Sequence, residues 1–271
     1  MKLLNLFRKK KAVQTGNPVI DFYNRIDEEG RLLKKSRMPE YLNTMKYIEK
    51  YLTPDSKILE IGAGTGRYSL YYASKGYKVD SVELIQSNID VFKTKIKDDM
   101  DINVIKGNAL DLSMYEDETF DVTLVLGPLY HLFTKEDKQK AISEALRVTK
   151  KSGMIFLAYI TNDAVILSYG LRKGNLLRIP ELVDENYKVK DIPEEIFSVN
   201  LVDEFDEMMN DFSVEHLHNV ATDGISAQLA EYVNKLSEEE YDIWVKYHLK
   251  TAERKDLLGY SNHILYIARK V

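Results

Sequence analysis

Apolar residues along this chain fall into two alternating patterns. Short unbroken runs stand at KILEI (57–61), YKVDSVEL (77–84), INVIK (102–106), FDVTLVLG (120–127) and GMIFLAYI (153–160). Such runs, bounded by turn residues, suit strands buried on both faces of a parallel sheet. Between them apolar side chains recur at helical spacing: Tyr41, Met45, Ile48 and Leu52 before the first run, 68–76 ending at Gly76 after it, then Ile89, Phe92 and Ile96, and 135–150. Strand and helix in alternation predict a doubly wound, mostly parallel α/β sheet with right-handed crossovers. Further on, 212–221 reads as a strand, 227–236 and 238–253 as helices, and HILYIARK (263–270) as the last strand.

The first run leads into three closely spaced glycines, Gly62, Gly64 and Gly66, and then a helix start. Glycine tolerates positive φ and lets a backbone approach a ligand, while the free N–H groups of the following helix face it. This is a loop for a nucleotide-like cofactor. Glu83 ends the second run roughly 20 residues on, where an open α/β sheet sets an acid against a ribose diol. The spacing is G-x-G-x-G; the dinucleotide fingerprint is G-x-G-x-x-G. Glu60, inside the end of the first strand, would repel a pyrophosphate but not a cationic amino-acid ligand.

The segment ILEIGAGTGRY (58–68) resembles motif I of the class I S-adenosylmethionine-dependent methyltransferases, and Glu83, Asn108–Ala109–Leu110 and Leu126–Gly127 stand where that family's later motifs fall. The resemblance covers about 40–160 well and the rest more loosely. It implies a Rossmann-like, seven-stranded sheet with an antiparallel last strand, and S-adenosyl-L-methionine as cofactor. Carried onto matching positions, Glu60, Gly62, Ala63, Gly64, Thr65 and Gly66 hold the amino-acid part, Glu83 and Leu84 the ribose, Asn108 to Leu110 the adenine, and Leu126 and Gly127 allow close approach. An N-terminal helical segment folding over the site would bring Tyr23 and Arg31 near the ligand; each reads equally as a packing residue or a surface ion-pair partner. Adenine N-methyltransferases carry an Asn or Asp, two prolines and an aromatic residue after the fourth strand. GPLYHLF (127–133) lacks that set, which counts against nucleobase chemistry.

Organisation is expected as a basic tail (1–17), N-terminal helices and cofactor-binding core (18–161), an inserted cap (162–211) and C-terminal strands and helices completing the sheet (212–271). The cap, with Pro180, Pro193 and short apolar clusters, should wall an acceptor pocket, since loops at strand carboxyl ends carry specificity.

Composition narrows the partners. Lys and Arg number 38 against 43 Asp and Glu, a net charge of −5, which offers no broad basic face for nucleic acid. No cysteine is present, so disulfides and thiolate metal sites are excluded. No apolar run approaches the length of about 20 residues that spans a bilayer, and MKLLNLFRKKKAVQ has the wrong order of basic and apolar residues for a secretory signal. The expectation is a cytoplasmic monomer or homodimer without membrane insertion, methylating nitrogen or oxygen of a small molecule. A protein or RNA acceptor, an NAD(P)-dependent oxidoreductase and a non-catalytic cofactor binder are the rivals.

Among candidate catalytic residues, His131 follows the fourth strand beside the expected methyl donor, and an imidazole titrates where a base is useful. It reads either as that base or as a brace for its loop, and Tyr130 as a pocket wall or hydroxyl donor. His216 and His218, expected on one face of a strand, lack a third ligand at sensible spacing, so no metal is expected. His248 and His263 read as structural, with His263 able to point towards the cap.

Overall fold

The computed structural model describes residues 18–23, 34–190 and 197–271. Its centre is a seven-stranded sheet: β1 (Lys57–Ile61), β2 (Lys78–Glu83), β3 (Ile102–Lys106), β4 (Phe120–Val125), β5 (Thr149–Ile160), β6 (Val214–Ala221) and β7 (His263–Lys270). The order is β3-β2-β1-β4-β5-β7-β6. The pairs from β3 to β5 are parallel, and β7 runs antiparallel to both β5 and β6. The α/β class and the antiparallel last strand therefore stand as the sequence implied. Helices α1 (Pro18–Tyr23), α2 (Met38–Glu49), α3 (Arg67–Ser74), α4 (Gln86–Lys93) and α5 (Lys135–Val148) accompany the first five strands.

The unbroken apolar runs are explained by burial on both faces. Ile58, Met154, Phe156 and Leu265 join one core cluster, while their neighbours Leu59, Ile155, Leu157 and Tyr266 join the other. Strand period two thus feeds two cores from one sequence. Helix starts follow local chemistry: Thr134 accepts the Asp137 N–H at 3.0 Å at the head of α5, and Ser237 and Glu240 form a reciprocal capping box at the head of the helix Glu238–Thr251.

Three local expectations change. α4 stops at Lys93, where Thr94 Oγ1 donates to the Val91 carbonyl at 2.7 Å, so Ile96 lies beyond the helix. Within 227–236 the α-helical part is the single turn Ala230–Val233, and Asn234 Oδ1 accepts the Ser36 N–H at 3.0 Å, tying that segment to the turn before α2. His216 and His218 do not share a face. A register shift between them sets His216 opposite Ala268 and His218 opposite Ile267, since a bulge adds a residue and reverses the alternation. His216 stacks on Tyr266 at 4.5 Å, whereas His218 meets Glu253 and Tyr51, each at 2.7 Å.

The segment 162–211 contains two kinds of structure. Residues 162–190 form short helical turns, including the π-helix Val165–Arg172, beyond the carboxyl end of β5. The helix Val202–Met209 instead lies on the sheet, with Phe205 fully buried and stacked on Tyr159 at 4.1 Å. None of the described helices is long and apolar enough to cross a membrane.

Candidate active site

A cavity of about 1000 Å³ opens at the carboxyl ends of β1, β2 and β4, under the turns of 162–190. Its floor is the glycine loop. Gly62, at φ 77°, has left-handed backbone, and a Cβ there would come within 2.6 Å of Pro128 Cδ. Gly66, at φ 85°, begins α3, and a Cβ there would collide with the Phe92 ring. Glycine is required at both positions by conformation and by space.

Glu83 anchors this loop. Its Oε2 accepts the Gly64 N–H at 2.7 Å and its Oε1 the Ile85 N–H at 2.8 Å. One carboxylate thus joins the turn after β1 to the turn after β2. Glu60, fully enclosed, accepts the Ser69 N–H at 3.0 Å and the Ser69 hydroxyl, and Ser81 donates to that same hydroxyl at 2.8 Å. Burial pushes the Glu60 carboxyl up to about 8, against the lowering influence of the Ser69 hydrogen bonds.

Ala63, Thr65, Leu84, Asn108, Ala109, Leu126, Gly127, Tyr130 and His131 also line the cavity, together with Glu60, Gly62, Gly64 and Glu83. Two residues expected with them are not on that wall. Gly66 lies against Phe92 at the start of α3, and Leu110 packs on the core beneath a turn in which Asn108 Oδ1 accepts the Leu110 N–H at 3.1 Å. Arg31 and the side chain of Tyr23 lie outside the described residues. His131 rests 5.4 Å from the Phe197 ring, which meets Phe22 of α1 edge-on at 5.5 Å, and the Tyr130 carbonyl accepts the Ser198 N–H at 2.6 Å. These contacts join the β4 exit, α1 and the later part of the cap at 197–198.

Sequence reasoning missed a second charged group at the far side of the cavity. His263, at the start of β7, lines the wall 5.6 Å from the Tyr130 ring. Its Nδ1 lies 3.3 Å from Asp223 Oδ2 and 3.7 Å from Glu40 Oε2. Asp223, completely buried after β6, also accepts from Ser261 Oγ at 2.7 Å, Asn262 Nδ2 at 3.0 Å and the His263 N–H at 3.0 Å. Burial alone would raise its pKa, but the His263 charge and these hydrogen bonds outweigh that and hold the carboxyl well below the usual range. Glu40, Asp223 and His263 place their ligand atoms within 4.8 Å of one another, a spacing compatible with a cation. The donors on Asp223, with Arg37 at 3.9 Å, already account for its oxygens as a hydrogen-bonded network. The signal in the sequence was the turn TDG at 222–224 paired with SNH at 261–263, two loops recognisable only once β6 and β7 are known to be neighbours.

Comparison with known proteins agrees with this geometry. Residues 59–157 match the family model described as a methyltransferase domain. The chain is 26% identical over 139 residues to a glycine/sarcosine N-methyltransferase of Aphanothece halophytica, covering 48% of this chain and 52% of the relative. It is 31% identical over 122 residues to a demethylmenaquinone methyltransferase of Paenarthrobacter aurescens, covering 45% and 46%. The chain spans about half the length of the curated relatives it matches. A crystal structure of a SAM-dependent methyltransferase from Methanosarcina mazei superposes with a TM-score of 0.55 at 19% identity, over 83% of this chain and 97% of that one, a likeness of fold. Residues 59–157 thus match a methyltransferase domain, and the chain shares the fold of that SAM-dependent methyltransferase structure.

Proposed function

We propose that this chain transfers a methyl group from S-adenosylmethionine to a nitrogen or oxygen of a small-molecule acceptor. The observation that carries the reading is the glycine loop bound to Glu83 at 2.7 Å on the floor of one cavity whose other side is walled by the cap turns, so that cofactor and acceptor sites are continuous. The donor set fits the group: a side-chain-free turn at Gly62 and Gly127 admits close approach, and Glu83 brings a carboxylate suited to a ribose diol. When bound, S-adenosylmethionine supplies an electrophilic methyl on a sulfonium.

The chain's own contribution is alignment, since displacement at a sulfonium gains most from holding the nucleophile in near-attack geometry. Glu60, Gly62, Ala63, Gly64, Thr65, Glu83, Leu84, Asn108, Ala109, Leu126 and Gly127 form the cofactor side in this reading. Gly66 and Leu110 act one layer behind, by fixing the turns. Tyr23 and Arg31 remain candidates for closure from the N-terminal segment. Tyr130 orients the acceptor, and His131 accepts the proton an amine or hydroxyl loses.

Calorimetric titration with S-adenosylmethionine and S-adenosylhomocysteine, with NADH as control, tests the reading. Micromolar binding of the first two and none of the third supports it. Binding of NADH alone, or of none, overturns it.

A further inference from the structure

Charge along the cavity wall is divided. The acids lining it, Glu60 and Glu83, belong to the glycine-loop end. At the cap end stand Arg37, Arg172, Lys173 and Lys190, and no described Asp or Glu shares that stretch of wall. Asp223 lies behind it, 3.9 Å from Arg37, with its oxygens already taken by Ser261, Asn262 and His263. Arg172 closes the π-helix Val165–Arg172 and makes no hydrogen bond or ion pair with any described residue. Partial burial, and then the repulsion of Arg37, lower its pKa from the ordinary arginine value. Arg37 and Arg172 line one cavity and lie close enough to repel each other, and arginine binds a planar oxyanion through paired N–H donors.

The surroundings restrict what carries that anion. Phe22, Tyr169, Leu182, Val189 and Phe197 line the same end, so the space between the cations is apolar and aromatic. A highly hydrated polyanion would lose solvation against those walls, whereas a flat or branched apolar body with one carboxylate satisfies both features. Arg67 follows Gly66 directly and lines the cavity beside the glycine loop, where its charge suits the carboxylate of the cofactor's own amino-acid part.

We propose that the acceptor is a small apolar or aromatic carboxylic acid whose carboxylate is held by Arg172 and Arg37; this rests on the methyl-transfer reading above. The acid is bound at its charged end by the cap and presents its methylated atom towards Tyr130 and His131. Specificity therefore lies in the cap turns, and the anion anchors the acceptor without taking part in bond making.

The test uses the full chain saturated with S-adenosylhomocysteine and titrated with benzoate, phenylacetate and 4-hydroxybenzoate, each compared with its neutral primary amide. At least one acid should bind about tenfold or more tightly than its amide, the scale of a charge-assisted hydrogen bond. In Arg172→Gln that preference should fall below about threefold while S-adenosylhomocysteine affinity stays within about threefold of the parent. Equal binding of acids and amides, binding of neither, or a preference that survives in R172Q overturns the proposal. So does loss of S-adenosylhomocysteine binding in R172Q, which assigns the arginine to the cofactor. If the parent itself fails to bind S-adenosylhomocysteine, the methyl-transfer reading falls and the acceptor role with it, while the same acid and amide comparison on the protein alone still decides whether Arg172 anchors a carboxylate.

Discussion

Asp223 and His263, forty positions apart in the chain, meet at 3.3 Å where the ends of β6 and β7 come together beside the cavity. The carboxylate is completely buried, and against the raising effect of that burial the His263 charge and its hydrogen bonds hold its pKa below the usual range. A depressed carboxylate contributes stability that is fully present above its unfolded pKa near 4 and is lost as pH falls towards the folded value. Asp223→Asn removes one partner of a buried pair and should cost about 3–5 kcal/mol at neutral pH. Urea unfolding at pH 7 and pH 3 checks this: the variant should be weaker at pH 7, and the gap to the parent should narrow at pH 3. A variant as stable as the parent at pH 7 rules out a structural role for the charge.

Glu83→Ala should lower S-adenosylmethionine affinity by about 10- to 100-fold, because it deletes a charge-assisted hydrogen bond to the Gly64 N–H as well as the acid facing the cavity. Calorimetry reads the affinity, and circular dichroism confirms the fold. Parent-like binding would remove the ribose assignment.

Glu60 predicts the opposite pH slope from Asp223. Its folded pKa, about 8, lies above that of an unfolded glutamate, so the native state holds a proton that the unfolded chain has released. Stability should fall as pH rises from about 4.5 to 8, at most about 1.4 kcal/mol per pH unit for this single group. In Glu60→Gln the carboxamide oxygen can still accept from Ser69, and this component of the slope should disappear. Melting curves for parent and variant between pH 5 and 9 decide it; identical slopes would show that Glu60 does not titrate there.

Gly66→Ala should destabilise the protein by about 2–4 kcal/mol, combining left-handed strain with displacement of the Phe92 ring. Phe92→Ala relieves the collision but not the strain, so a double-mutant cycle should show favourable coupling between the two changes. Additive costs would mean that the ring is not what confines Gly66.

Much of this architecture was legible because its signals are local. KILEI, FDVTLVLG and GMIFLAYI each announce a doubly buried strand without reference to any other segment, and the glycine spacing is read within a few positions. The second charged group was not legible, since Glu40, Asp223 and His263 belong to α2, the turn after β6 and the start of β7, and only the antiparallel pairing of β6 with β7 unites the last two. The bulge at His216 and His218 was hidden for a related reason: alternation in sequence assumes regular pairing, and one extra residue inverts it. Gly66 and Leu110, expected at the cofactor, lie off the cavity wall, and motif position does not separate residues that line a cavity from residues that shape the turn beneath it.

The contact of Gly62 with Pro128 has a consequence for how such a protein can be altered. The two turns are fitted together with no volume to spare, so the half of the cavity above β1 and β4 tolerates little change in side-chain size. The wall formed by 162–190 is built of short turns that carry exposed side chains, Leu171, Leu176 and Leu177 among them. Laboratory evolution towards a new acceptor should therefore accumulate its substitutions in that wall and leave the glycine floor untouched, with donor chemistry inherited and acceptor choice open to revision.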